Sequence, residues 1–233
     1  MKRLEICIDI ASGLEFLHGG LLRREEVIHG DITSSNVLLM EDWTAKITSF
    51  GHSMISPINQ ELDYIIGDPT GTMAYCDPLY IETKISKKMS DIYSFGVVLF
   101  EILCGLPVYA YHNNQPLIYL VKHHYEGGKL DELMFKGIKE KIGPQSLDTF
   151  SRIVCKCIDD DDREKRPTAT QVLVELKEAL DFQMMAVVVV EDGGGGGVKM
   201  MVVVVVVKDG GGCVGVEEFG DDYHEMIRIG VKI

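Results

Sequence analysis

Leu4, Cys7, Ile8, Ala11 and Leu14 recur at the spacing of one helical face, which predicts an amphipathic helix over residues 2–18, ended by Gly19–Gly20. After a polar loop, the runs NVLLM and TAKIT flank Glu41–Asp42 and predict two short strands joined by a turn. Residues 51–87 keep no period and read as a long irregular segment. SDIYSFGVVLFEILCG is apolar nearly all round, with Ser90 as its predicted cap and Gly105 as its stop. A helix of that pattern belongs at the centre of a domain, where no face meets water. Further helical patterns cover residues 116–126, 146–158 and 168–183, the first opening on Pro116.

The pattern breaks near Met184, where AVVVVEDGGGGGVKMMVVVVVVKDGGGCVGV alternates valine runs, charged pairs and glycine runs. Glycine loses the most entropy on ordering, and repeated valine specifies no unique strand register. Two segments follow: a domain over residues 1–183 and a low-complexity tail over 184–233, expected to be disordered and prone to β-aggregation at Val202–Val207.

The net charge of −13 argues against a nucleic-acid or anionic-membrane surface, both of which need a clustered positive face. The 6 cysteines show no C-x-x-C, which points away from zinc and towards a reducing, cytoplasmic compartment. The longest apolar run is Met200–Val207, far short of the roughly twenty residues that span a membrane.

Four ordered motifs carry the chemistry. They are VIHGDITSSNVLL, AKITSFG, GTMAYCDPLY and SDIYSFGVVLFEIL, followed by REKRPTATQVLVELKEAL. In this order they resemble the C-terminal lobe of a protein kinase of the plant receptor-like Ser/Thr type. The first stands where that family has V-I-H-R-D-I-K-x-x-N-x-L-L, the second where it has A-K-I-x-D-F-G. The resemblance implies a protein kinase-like fold, mainly α with a few short β-strands.

By resemblance, Asp31 holds the proton-acceptor position and Asn36 a magnesium position, while Leu38 forms the adenine floor with Val98 and Ile102 beneath it. His29 and Phe50 belong to a stacked column, Asp91 holds the loop backbone from the central helix, and Thr72 contacts Asp31. Other positions are degenerate. Gly30 stands for an Arg that meets activation-loop phosphate, and Thr33 for a Lys that reaches the γ-phosphate. Ser49 replaces the metal-binding Asp, a poor exchange for a hard cation that prefers carboxylate oxygen. Leu79 replaces a Glu, which is expected to leave Arg166 without its buried partner at about 3–5 kcal/mol.

No G-x-G-x-x-G or V-A-I-K occurs, so the half of the site that covers a nucleotide is expected to be missing. ATP and magnesium serve the family, but none is expected to bind this chain. The leading expectation is a truncated pseudokinase that signals by binding a protein partner, another kinase or a kinase substrate, through residues 110–145. The alternatives are part of an ATP-dependent Ser/Thr kinase whose N-lobe lies elsewhere, and a non-functional gene fragment.

Overall fold

The computed structural model describes residues 1–19, 25–57, 64–112, 115–139, 141–191, 200–208 and 212–219. It divides into two compact units, Met1–Leu180 and Asp181–Ile233.

The first unit is built on two long helices. Helix α1 (Lys2–His18) buries Leu4, Cys7, Ile10, Ala11, Leu14 and Leu17, which fall on one face at helical spacing. Helix α3 (Lys88–Cys104) is buried along almost its whole length, with Ile92, Phe95, Leu99 and Phe100 fully enclosed. Each such side chain contributes about 1.5–3 kcal/mol by leaving water. Gly96 lets α6 (Pro144–Cys157) approach α3 closely: a Cβ there would lie 2.7 Å from Ile158 and 2.8 Å from Cys157. Helix α3 stops at Gly105 in the left-handed conformation, as its sequence predicts. Its start differs. The helix begins at Lys88, two residues before Ser90, whose hydroxyl instead accepts from the Lys87 amide one turn in. Ser90 was legible as a capping residue because it does cap, but from inside the first turn.

Short ladders surround this helical pair. Strand β1 (Glu25–Ile28) pairs antiparallel with β4 (Met54–Pro57), Val27 opposite Ile55. Strands β2 (Val37–Leu39) and β3 (Ala45–Ile47) form the hairpin predicted around Glu41–Asp42, with Leu38 opposite Lys46. Asp9 of α1 fixes that hairpin by accepting from the Ala45 amide at 2.9 Å. The segment read as irregular carries β5 (Ile65–Ile66), helix α2 (Pro78–Thr83) and β6 (Ile85–Ser86), with β5 paired to β6. None is long enough to leave a period in the sequence. Helix α2 starts at Asp77, whose carboxylate accepts from the Leu79 amide, with Pro78 at its first position.

Strands β7 (Tyr111–His112) and β8 (Gln115–Pro116) lead into α4 (Leu117–Glu126), so Pro116 precedes that helix rather than opening it. Helix α5 (Lys136–Lys139) and α7 (Ala169–Met184) complete the helices.

The second unit holds a three-stranded antiparallel sheet of β9 (Met185–Glu191), β10 (Met200–Lys208) and β11 (Gly212–Phe219), in the order β11-β10-β9. The valine runs of the segment read as a low-complexity tail lie in these strands. Valine's branched side chain favours extended backbone, and any valine can pair with any other. The ladder keeps a trace of that degeneracy, since its register shifts between Val205 and Val207. The glycine run at 193–197 lies outside the described residues.

Candidate functional site

The loop from His29 to Asn36 is suspended from α3 by one carboxylate. Asp91, 1 % exposed, accepts from the His29 amide at 2.7 Å and the Gly30 amide at 2.9 Å, and from His18 Nε2 of α1 at 2.9 Å. A charged acceptor serving three buried donors is among the stronger hydrogen-bond arrangements a protein makes. The His29 ring spans the loop and the next strand: Nε2 donates to the Thr48 carbonyl at 2.9 Å, and Nδ1 accepts from the Asp31 amide at 3.2 Å. Phe50 meets that ring edge-on at 4.9 Å and is otherwise half exposed.

Asp31 is only half buried, yet both of its carboxylate oxygens are engaged. Oδ1 accepts from the Thr72 amide at 2.7 Å, and Oδ2 accepts from Asn36 Nδ2 at 2.9 Å. Asn36 Nδ2 also donates to the Asp31 carbonyl at 2.8 Å. Thr72 therefore reaches Asp31 through its backbone.

The degenerate positions are not equivalent. Gly30 has φ +77°, and a Cβ on it would lie 2.7 Å from the His52 carbonyl oxygen, so the loop turns where a side chain has no room. Thr33 is fully buried and caps the short turn Ser34–Asn36, its hydroxyl accepting from the Asn36 amide at 3.2 Å. A lysine there would lose the cap and bring an ammonium into the interior. Ser49 is exposed and left-handed, φ 68° and ψ 55°, a conformation that Asp and Asn tolerate better than Ser.

Leu38 is 55 % exposed, whereas Val37 and Leu39 line a cleft of about 300 Å³ with Val98, Ile102 and Ile6. The period-two alternation of the strand explains the split. Val98 and Ile102 thus support β2 from the face opposite Leu38.

Arg166 corrects the expectation of an unpaired cation. Its Nη2 donates to Asp77 Oδ1 at 2.9 Å, Nη1 to the Met89 carbonyl at 3.0 Å and Nε to the Asp159 carbonyl at 2.6 Å. Its guanidinium lies 5.0 Å from the Tyr93 ring centre. Asp77, two residues before Leu79, takes the partner's role and also accepts from Arg163 Nε at 2.9 Å and Ser90 Oγ at 3.0 Å. Burial alone would raise the Asp77 carboxyl, but the Arg166 hydrogen bond and charge, with Arg163 and Ser90, hold it below the usual range. Leu79 instead sits half buried in the first turn of α2. Reading the motif letter by letter missed this, because a neighbouring carboxylate satisfied the same guanidinium.

A family model described as protein kinase domain matches residues 2–176. The chain belongs to the protein kinase family. Among receptor-like kinases of Arabidopsis thaliana, it is 36% identical over 188 residues to receptor-like protein kinase FERONIA, a match covering 79% of this chain and 21% of that one. It is similarly 36% identical to ANXUR2 over 188 residues, with the same coverage, and 37% identical to HERK 1 over 187 residues, 78% of this chain and 22% of that one. The chain thus spans about a fifth of the length of the curated relatives it matches.

ATP and magnesium belong to this family, and the residues present fit the metal poorly. Magnesium asks for near-octahedral oxygen, normally with carboxylates. The loop and the segment after it offer one Asn amide oxygen, a serine hydroxyl at position 49 and a single carboxylate, Asp31, which also accepts from two protein donors. No group of three His, Cys, Asp or Glu able to hold a metal occurs among the described residues. No described helix is long and apolar enough to cross a membrane.

Proposed function

We propose that this kinase lobe is catalytically idle and acts by binding a protein, another kinase or a kinase substrate. The observation that carries the reading is Ser49, an exposed serine where the family places a metal-binding carboxylate. Phosphoryl transfer depends on neutralising charge on peripheral oxygens, and this chain lacks the metal-binding carboxylate at position 49 and the lysine at position 33 that serve it in the family. Scaffold contacts are meanwhile complete: Asp91 on the loop, Arg166 on Asp77, His29 on Phe50. Around residues 110–145, Tyr119, Tyr125 and Phe135 are 54%, 38% and 43% exposed, and aromatic side chains of that kind anchor interfaces.

Proximity labelling in plant cells tests the reading. Asp31→Ala should recover the same labelled proteins as the unmodified chain, whereas Tyr119→Ala should lose them. Labelling that depends on Asp31 and ignores Tyr119 would refute it.

A second reading, that the lobe works within a longer active kinase, is favoured by one observation. Asp31 and Asn36 keep mutual contact, and His29 and Phe50 keep theirs.

A further inference from the structure

We propose that one ordered water molecule is a built-in part of this lobe, held beneath the segment that leads from Thr70 to Ser86. A small cleft of mixed lining lies there, with Ser86, Ser90, Ser94 and Asp77 among its polar walls and Ile32 and Tyr80 among its apolar ones. Its free volume of about 10 Å³ is close to what the centre of a single water needs. Ser86 lines this cavity and is 1 % exposed, and its buried hydroxyl has no hydrogen-bond partner among the described protein groups. A buried hydroxyl without a partner is costly, and buried polar groups of this kind are ordinarily satisfied by protein or by ordered water.

The walls can complete the water's shell. Ser90 Oγ spends its proton on Asp77 Oδ2 at 3.0 Å, and Ser94 Oγ spends its proton on the Tyr75 carbonyl at 2.8 Å. Each hydroxyl oxygen keeps acceptor capacity, whereas the Asp77 carboxylate is filled by Leu79, Ser90, Arg163 and Arg166. A water that accepts from Ser86 and donates to both hydroxyl oxygens reaches the usual count of about three bonds. It would join β6 to two successive turns of α3.

Diffraction from crystals of the full chain, at a resolution that defines solvent, should show one oxygen within hydrogen-bond distance of Ser86 Oγ. Empty density there, or Ser86 Oγ bonded to a protein atom, would overturn the proposal. Denaturant unfolding of Ser86→Ala gives an independent sign. With the water in place, losing the hydroxyl strips it of a partner, and the unfolding constant should rise about fivefold. In a dry cavity the same change removes an unpaired buried group, so an unchanged or smaller unfolding constant would contradict the proposal. If Ser86→Ala does not fold, diffraction from the unmodified chain decides the matter.

Discussion

Replacing Asp91 by alanine removes the one acceptor that serves the His29 amide, the Gly30 amide and the His18 ring. Asp91 and His29 are essentially inaccessible and His18 is 9 % exposed, so water reaches the freed groups poorly. Each unsatisfied buried donor costs about 1–3 kcal/mol. With partial relaxation of the loop, the sum is about 3–5 kcal/mol, a large fraction of the stability of an ordinary domain. Asp31→Ala frees two donors as well, the Thr72 amide and the Asn36 side chain. That site is half open, so water can replace the lost acceptor, and the expected cost is about 1 kcal/mol. Urea unfolding followed by far-ultraviolet circular dichroism measures both variants against the parent, and an unchanged slope with denaturant would confirm that only stability has moved. Equal losses for the two variants, or a larger loss for Asp31→Ala, would refute the view that α3 suspends the loop through Asp91.

The degenerate positions should respond unequally to reversal. Gly30→Ala should destabilise the fold by about 2 kcal/mol or more, because φ +77° and the nearby His52 carbonyl both oppose a Cβ. Ser49→Asp should be neutral or stabilising by up to about 1 kcal/mol, since Asp accepts the left-handed conformation more readily; thermal melts of both variants check the contrast. Asp77 gives a pH signature. Its carboxyl lies below the usual range in the folded state, so its stabilisation is complete above the ordinary Asp value near pH 4 and is lost as pH falls through the lowered folded value. Urea midpoints taken from pH 7 to pH 3 should therefore fall more steeply at the acid end for the parent than for Asp77→Asn, and parallel curves would contradict the assignment.

The long helices were legible because seventeen residues of α1 and seventeen of α3 repeat their apolar pattern over several turns. The hairpin β2–β3 was legible from its turn residues. Helix α2, with six residues, is tied through its cap Asp77 to Ser90 and Arg166, partners distant in sequence, and the two-residue strands β5 and β6 pair with each other across α2. No local pattern encodes those contacts. The same limit affected the site. Motif letters picked out His29, Asp31 and Asn36 in one loop and Asp91 on α3, and the fold brings Asp91 onto that loop's backbone. Letters did not show that Gly30 and Thr33 are built into the turn by backbone conformation and capping, while Ser49 is free to change. Nor did they reveal that Asp77 could stand in for the residue absent at Leu79.

The central claim is that this lobe carries the kinase scaffold without its chemistry. Incubating the full chain with Mg-ATP labelled at the γ-phosphate, alongside a general protein substrate, tests it most directly. The account predicts no transfer above a blank without protein, from the unmodified chain and from Asp31→Ala alike. Transfer by the unmodified chain that Asp31→Ala abolishes would contradict it.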